Sequence, residues 1–174
     1  EDREYLHKLL GCSLLGNNKE QIFNIWVGSG SNGKSIISKL LKIALGRYYN
    51  EIDKRSISDD SGSMAPELLM LKNSRLVVCQ EPSANKSFKT DFIKKITGGD
   101  SVVARMLYSN DVEEFNLLFQ LIICCNDIPN LDNLDGGIKR RLRIINFPTS
   151  FVENPTKAHE KIIDKDLCDK INNW

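Results

Sequence analysis

The stretch "NIWVGSGSNGKSIISKLL", residues 24–41, constrains the fold more than any other part of this chain. Its apolar run stops at Gly28, residues 28–33 are all Gly, Ser or Asn, and a segment with helical spacing opens at Lys34. This order predicts a buried strand, a glycine-rich loop and a helix. The helix should run to about Leu45, where Gly46 supplies a stop.

The loop matches the pattern G-x-x-x-x-G-K-[ST] from Gly28 to Ser35. Glycines let successive backbone N–H groups turn toward phosphate oxygens, and the following helix adds its positive end. We therefore expect Lys34 to reach the β- and γ-phosphates of a nucleotide, and the Ser35 hydroxyl to coordinate Mg²⁺. A flexible turn ahead of a helix would explain the glycines but not Lys34 and Ser35 at this spacing. The predicted binding residues are Gly28, Ser29, Gly30, Ser31, Asn32, Gly33, Lys34, Ser35 and Ile36.

Composition limits the remaining possibilities. The 174 residues, 41% of them hydrophobic, suit one globular domain, and 24 basic residues against 23 acidic ones give no general attraction to nucleic acid. No apolar run reaches the roughly 20 residues of a membrane helix, so no membrane contact is expected. The five cysteines include no CxxC pair and lie mostly in apolar runs, which favours reduced core thiols in an intracellular protein.

The remaining pattern alternates strands with helices, which predicts a three-layer α/β fold with a mainly parallel sheet. Helices are expected at 3–15, around Phe88–Ile96 before Gly98-Gly99, and from about Lys157 to the end. Residues 50–63 read as a loop with a short strand at most. The expected strands are "QIFNIWV", "RLVVCQ", "LRIINF", and the pair "SVVARMLY" and "FNLLFQLIICC" around the turn "SNDVEE".

Two polar side chains follow predicted buried strands. Glu81 comes directly after "LVVCQ", and we expect it to contact Mg²⁺ and polarise the attacking water. Gln80 stands where a second acid could have been, so the acidic roles are not divided, and an ordinary acid at a strand end is the alternative. Asn126 ends "LIICC" and could orient water beside the γ-phosphate, because strand ends face the ligand crevice in open α/β folds. A turn-forming Asn is its alternative.

Three arginines also stand out. Arg105 is the only charge in "VVARMLY", so it is either paired inside the protein or presented at a subunit boundary. Arg140 and Arg141 follow Asp135-Gly136-Gly137 and could reach a neighbouring subunit to stabilise phosphoryl charge. A solvated basic face is the alternative for this pair.

Together these residues resemble the superfamily 3 helicases of viruses and phages, specifically the poxvirus-type and phage primase-helicases. The "TGGD" block followed by an Asn and then "DGGIKRR" is more specific than the phosphate loop, which many families share. The resemblance covers about 120 residues. Its four blocks are "GSGSNGKS" (28–35), "RLVVCQEP" (75–82), "KKITGGDSVVAR" (94–105) and "LIICCNDIPNLDNLDGGIKRRLRIINF" (121–147).

The resemblance implies a P-loop NTPase fold of the AAA+ type with a β-hairpin insertion. It also implies ATP hydrolysis between subunits of a homo-oligomeric, hexameric ring that moves 3′ to 5′ along single-stranded DNA. In this chain it supports Lys34 and Ser35 on phosphate and Mg²⁺, Glu81 as the Walker B acid and Asn126 as the sensor. It makes Arg140 and Arg141 candidates for the arginine finger, which would act on the nucleotide bound by a neighbouring subunit.

Lys94 and Arg105 fall in the family-specific block, so the resemblance makes them interface or hairpin-supporting residues. The hairpin would enter the ring channel, where Tyr108 could stack on a base and Asn110 could bond the DNA backbone. The stretch between Tyr108 and Phe115 departs from the family, because it is acidic and carries no Lys or Arg, which predicts repulsion from phosphate.

These inferences divide the chain into an N-terminal helical lead-in (1–20), an ATPase core (21–150) and a C-terminal helix (151–174). The chain begins without Met, so we expect a piece of a longer protein that acts where viral or phage DNA is replicated, with a primase domain possible on the same polypeptide. Two other functions stay open. One is an AAA+ assembly or loading module without unwinding activity, and the other is a small-molecule phosphotransferase, which leaves "DGGIKRR" unexplained.

Overall fold

The computed structural model describes residues 2–58, 65–80, 87–105 and 111–173. Its helices are α1 (Asp2–Leu15), α2 (Lys34–Leu45), α3 (Lys54–Ser58), α4 (Ala65–Leu71), α5 (Thr90–Thr97), α6 (Gly136–Arg141) and α7 (Leu167–Asn172). Its strands are β1 (Phe23–Val27), β2 (Tyr49–Ile52), β3 (Leu76–Gln80), β4 (Ser101–Arg105), β5 (Val112–Asn116), β6 (Gln120–Cys125), β7 (Leu142–Asn146), β8 (Ser150–Val152) and β9 (Glu160–Ile162).

Five strands form a parallel central sheet in the order β2-β3-β6-β1-β7. Side chains alternate across it, as the pleat requires. Phe23 and Ile25 of β1 pack on one face, in a cluster that includes Ile93 of α5 and Ile138 of α6. Trp26 lies on the other face, in a cluster with residues of α1 and α2. Helices thus cover both faces, and the predicted three-layer α/β fold is confirmed.

The prediction of one long strand over "FNLLFQLIICC" is wrong. Two strands separated by residues 117–119 take its place: β5 pairs antiparallel with β4, and β6 joins the central sheet. The reason is burial, since β5 is at most half-buried along its length whereas β6 is buried throughout. Val112, Glu113 and Glu114, expected in a turn, are strand residues of β5.

The helix expected from about Lys157 to the end is also wrong. A two-stranded parallel ribbon, β8 with β9, comes first, and helix is limited to Leu167–Asn172. The Glu160 carboxylate accepts hydrogen bonds from the backbone N–H groups of Thr156 (2.7 Å) and Lys157 (3.0 Å). This closes a turn where the helix was expected to begin. Within residues 50–63 the structure adds the edge strand β2 and the short helix α3, where at most a short strand was expected.

Candidate functional site

The carboxyl ends of β1, β3 and β6 meet at one edge of the sheet. Val27 is paired with Cys125, and Gln80 with Cys124, so the residues that follow these strands lie side by side. Asn126 and the loop after β1 line the same cavity, which has a volume of about 760 Å³ and also receives Gln80. The fold therefore brings Asn126 to the glycine-rich loop, and its role in orienting water stays a prediction. Glu81 lies outside the described residues.

The loop between β1 and α2 has a backbone that only certain residues adopt without strain. Gly30 and Gly33 have φ of +97° and +88°, and Ser31 has φ of +46°. A Cβ atom on Gly28 would lie 2.1 Å from the side-chain nitrogen of Asn32 and 2.7 Å from the carbonyl oxygen of Phe147. Such contacts are far below van der Waals distance, so the close approach at Gly28 requires glycine.

Lys34 is the first residue of α2 and is buried. Its ammonium donates to the carbonyl oxygen of Gly28 (2.6 Å) and to the side-chain oxygen of Asn32 (3.0 Å). The amide nitrogen of Asn32 is buried without a hydrogen-bond partner among the described residues. A buried donor of this kind is costly to leave unpaired, and here it lies beside the lysine at the wall of the cavity.

The N-terminus of α2 faces the same cavity. The backbone N–H of Ile37 donates to the carbonyl of Gly33 (3.0 Å) and makes the first bond of the helix. Ser35 and Ile36 precede that bond, so their N–H groups have no intrahelical acceptor, and both residues line the cavity. Unpaired N–H groups and a positive helix end are suited to an anion, so these residues fit a phosphate group, with the exposed Ser35 hydroxyl beside it.

The opposite side of the cavity comes from the C-terminal segment. The backbone N–H of Phe151 donates to the carbonyl of Ser31 (2.7 Å), which joins β8 to the loop. Sequence reasoning missed this side because it expected a helix from about Lys157 instead of the β8–β9 ribbon, and no local pattern marks the residues as cavity-lining. We call its hydrophobic members the apolar wall: Phe147, Phe151, Ile162, Ile163 and Leu167.

All five cysteines are free thiols. Burial raises the pKa of Cys124 to about 11 and that of Cys125 to about 12. Cys79 is buried as well, whereas Cys12 and Cys168 are exposed, so only three of the five are core thiols. Cys168 also lines the cavity.

Arg140 and Arg141 lie at the opposite end of the sheet from this cavity. Leu142 of β7 is paired with Phe23 of β1, and Asn146 with Val27, so the arginines precede the amino end of the pairing. Four residues of parallel strand separate the two ends by about 13 Å. The structure therefore places both arginines away from the loop of their own subunit.

Both arginines contact one residue that the sequence did not single out. The side-chain oxygen of Gln21 accepts from Arg140 (2.5 Å) and from Arg141 (2.9 Å), and the Gln21 amide nitrogen donates to the carbonyl of Gly98. Arg140 is exposed and Arg141 half-buried. Burial and the neighbouring Arg140 charge hold the pKa of Arg141 below its usual range. The turn "GNNKE" before β1 was the only signal near Gln21.

Lys94 is engaged within its own chain. Its ammonium lies 2.7 Å from Asp135, which also caps α6 by accepting from the N–H of Ile138 (2.9 Å). The hydrogen bond with Asp135 raises the pKa of Lys94, and Lys94 lowers that of Asp135. Lys94 thus supports the helix that carries the arginine pair. Its interface role stays a prediction.

Arg105 is exposed at the end of β4, opposite Val112. Tyr108 and Asn110, assigned to the hairpin tip, lie outside the described residues. Two acidic side chains of β5 have partners: Glu113 pairs with Lys72, and Glu114 accepts from Ser101.

No group of three or more metal-ligating His, Cys, Asp or Glu side chains occurs in the described ranges. Among the same residues, no helix has both the length and the apolar character that crossing a bilayer requires.

A parallel five-stranded sheet with a glycine-rich loop and lysine at the start of α2 defines an α/β domain of the P-loop type. Residues 26–141 match a family of unknown function, DUF5906, and the chain belongs to that family.

Two of the similar proteins come from a mimivirus and a poxvirus. The chain is 36% identical over 185 residues to "Putative helicase L207/L206" of Acanthamoeba polyphaga mimivirus, covering 99% of this chain and 19% of that protein. It is 32% identical over 171 residues to "Primase D5" of Fowlpox virus (strain NVSL), covering 94% of this chain and 21% of the relative. The chain thus spans about a fifth of the length of these relatives.

Solved structures share the fold. The apo C-terminal region of NrS-1 (residues 305–718) superposes with a TM-score of 0.68 at 18% identity, over 94% of this chain and 38% of that one. The JCV helicase gives a TM-score of 0.54 at 14% identity, over 83% and 39% of the two chains. The DUF5906 match and the viral helicase and primase relatives, taken with this shared fold, confirm the resemblance to superfamily 3 domains of the viral primase-helicase type.

Proposed function

We propose that this chain is the ATP-hydrolysing motor domain of a viral-type DNA helicase. The observation that carries the proposal is the geometry around Lys34: a buried lysine at the start of α2, in a glycine-rich loop that faces a cavity beside Asn126. The helicase and primase names of the relatives support the helicase class. The relatives are about five times as long as this chain, so we also propose a primase domain on the same polypeptide.

The phosphates of Mg-ATP would lie against the loop. Lys34 would exchange its contacts with Gly28 and Asn32 for β- and γ-phosphate oxygens, and the amide nitrogen of Asn32 would gain an acceptor. Mg²⁺, held by Ser35 and Glu81, would neutralise phosphate charge, and Asn126 would orient the attacking water. The apolar wall would pack against the base.

The arginine pair would complete the site of the next subunit. Because Arg140 and Arg141 lie about 13 Å or more from the loop of their own chain along the sheet, they are suited to act in trans. We propose a homo-oligomeric ring with single-stranded DNA in its channel. The resemblance to superfamily 3 helicases implies that this ring is a hexamer. Lys94, Arg105, Tyr108 and Asn110 stay assigned to the hairpin or the interface.

The primary test is ATP hydrolysis by the full-length polypeptide and by its Lys34→Ala variant. Hydrolysis should fall to background in the variant, with the thermal unfolding midpoint within a few degrees of the wild type, because Lys34 would contact the transferred phosphoryl group. Full turnover by a well-folded Lys34→Ala protein would refute the proposal. Single-stranded DNA should accelerate wild-type hydrolysis; without acceleration, the assembly module is favoured over the motor.

The arginines are tested separately. Arg140 is exposed, so Arg140→Ala should lower kcat by about a thousandfold with unchanged ATP affinity and folding. Arg141 is half-buried, so Arg141→Ala should also lower the unfolding midpoint. Mixing either variant with Lys34→Ala should restore part of the activity, because some interfaces then combine an intact loop with intact arginines. Unchanged kcat in both variants would rule out the finger role.

A further inference from the structure

Gln21 lies where the register of β1 and β7 brings two chain segments together. It precedes the paired residue Phe23 by two positions, and Arg140 precedes its partner Leu142 by the same number. The parallel pairing therefore places the Gln21 side chain beside the end of α6. Both guanidinium groups bond its single side-chain oxygen, at 2.5 Å for Arg140 and 2.9 Å for Arg141.

The backbone at Gln21 is held in an uncommon conformation. Its φ is +55°, in the left-handed region that residues other than Gly and Asn seldom occupy. Asn18 fixes this turn: its side chain exchanges two hydrogen bonds with the backbone of Ile22, at 2.9 and 3.0 Å, and its carbonyl accepts from Gln21 N–H at 2.9 Å. Such backbone strain persists where surrounding contacts hold it, and it often marks a functional position.

The partner that the two arginines share is neutral. Among the described residues, no ion pair includes Arg140 or Arg141, and the carboxylates of Asp135 and Asp100 act on Arg141 without contacting it. A carboxylate in place of the amide would form charge-assisted bonds to both arginines and cancel part of their charge. The amide instead orients the two cations against their mutual repulsion and leaves their charge in place.

We propose that Gln21 is a positioning residue of the intersubunit site, which holds Arg140 and Arg141 in place while leaving their positive charge free to act on the neighbouring subunit's phosphoryl group. This inference rests on the proposed function. The second arm of the same amide, on the carbonyl of Gly98, ties the arrangement to the residues that lead into β4. Gln21 touches no phosphate itself and acts through the arginines.

The sharpest test is Gln21→Glu in the full-length polypeptide, because the side chains have the same shape and differ in charge. The carboxylate would gain charge-assisted bonds to both arginines but lose the donor to the Gly98 carbonyl, so we expect an unfolding midpoint close to that of the wild type. ATP affinity should be unchanged and kcat lowered about a hundredfold. A purely structural residue would leave kcat unchanged once the contact to the arginines is kept. Asn133→Asp is the matched control, since it adds the same charge at an exposed loop position before α6 and should leave kcat unchanged.

A second variant covers the case in which Gln21→Glu folds poorly. Gln21→Met keeps the length and neutrality of the side chain but removes the acceptor, so kcat should fall while ATP affinity holds. Mixing either Gln21 variant with Lys34→Ala should restore activity, because the latter supplies intact arginines.

The outcomes separate the two proposals. If Lys34→Ala hydrolyses ATP normally, the motor function is wrong. If Lys34→Ala is inactive while Gln21→Glu or the folded Gln21→Met keeps wild-type kcat, only the role of Gln21 is overturned.

Discussion

The Lys34 ammonium and the Gly28 carbonyl oxygen lie 2.6 Å apart, so the first residue of α2 is bonded back to the first residue of the loop. Asn32 accepts a second bond from the same ammonium at 3.0 Å. The loop is thus closed by contacts within seven residues of sequence, and its shape depends on the small volume at Gly28 as much as on the charge at Lys34.

Gly28→Ala should collapse this arrangement. The added Cβ would meet Phe147 backbone at 2.7 Å, which cannot move without disturbing the end of β7. We expect a loss of about 1–3 kcal/mol in the free energy of unfolding, and loss of nucleotide binding. Urea titration and ATP binding by calorimetry measure the two effects.

Gly11→Ala is the control for that substitution. Gly11 lies inside α1 with nothing within 4 Å of its added Cβ, so the change should stabilise the protein by about 0.5–1 kcal/mol. Equal unfolding free energies for Gly28→Ala and the wild type would contradict the close approach at the loop.

The apolar wall predicts a separable effect on nucleotide affinity. Phe151 is partly exposed and its backbone N–H bonds the Ser31 carbonyl, so Phe151→Ala should keep the loop but lose the proposed contact with the base. The dissociation constant for ATP should rise about ten- to a hundredfold, since burying one large apolar side chain is worth about 1.5–3 kcal/mol. Inorganic triphosphate, which has no base, should bind both proteins equally.

Leu14→Ala serves as the matched change for the wall, because Leu14 is exposed on α1. Its ATP affinity should equal that of the wild type. An unaltered affinity in Phe151→Ala would remove the wall from the base-binding role.

Thiol labelling of the unsubstituted protein measures how accessible each cysteine is, including Cys168 at the cavity. Cys12 and Cys168 should react with iodoacetamide in the native protein, whereas Cys79, Cys124 and Cys125 should react only after unfolding. Burial raises the pKa of Cys124 to about 11 and that of Cys125 to about 12, so little reactive thiolate forms near neutral pH. Mass spectrometry of labelled peptides identifies each site.

ATP should slow the labelling of Cys168, which lines the cavity, and leave the rate at Cys12 unchanged. Equal protection at both sites would indicate a global effect rather than occupation of the cavity.

The contact between Lys94 and Asp135 predicts a pH-dependent stability. The folded protein lowers the pKa of Asp135, chiefly through the hydrogen bond from Lys94. The ionised Asp135 carboxylate therefore adds to the free energy of unfolding above its unfolded-state pKa of about 3.9. This stabilisation is lost as pH falls through the lower folded pKa. The raised pKa of Lys94 matters at alkaline pH. The stabilisation from the charged ammonium is fully present below the unfolded-state pKa of lysine and is lost as pH rises through the folded pKa of Lys94.

Asp135→Asn keeps an oxygen for the helix cap and loses the ion pair, whereas Asp135→Ala loses both. Urea midpoints at pH 7 should decrease in the order wild type, Asn variant, Ala variant, and the gap between wild type and Asn variant should close as pH falls through the lowered folded pKa of Asp135. Asp91 is 94% exposed at 3.4 Å from Lys94, so Asp91→Asn should change little. A gap that persists at low pH would exclude the ion pair as its cause.

Local patterns predicted the part of the site that depends on local geometry. The strand, loop and helix at residues 23–45 follow from a continuous stretch, and Asn126 joins them because carboxyl ends of parallel strands share an edge. The wall and Gln21 were not predictable in this way. Phe151 reaches the loop from the β8–β9 ribbon, whose second strand lies where a helix was expected from about Lys157. Gln21 meets Arg140 only through the pairing of strands more than a hundred residues apart.

β7 connects the two ends of the proposed machinery. Arg141 lies immediately before it and Phe147, part of the apolar wall, immediately after it, with five residues between them. Five residues of parallel strand span about 16 Å, and β7 is hydrogen-bonded along its length to β1. In a ring, Phe147, which would contact the base of one nucleotide, and the arginines that serve the next nucleotide would lie at the two ends of the same strand. A displacement of β7 at one nucleotide would then be transmitted to the arginines that serve the neighbouring nucleotide.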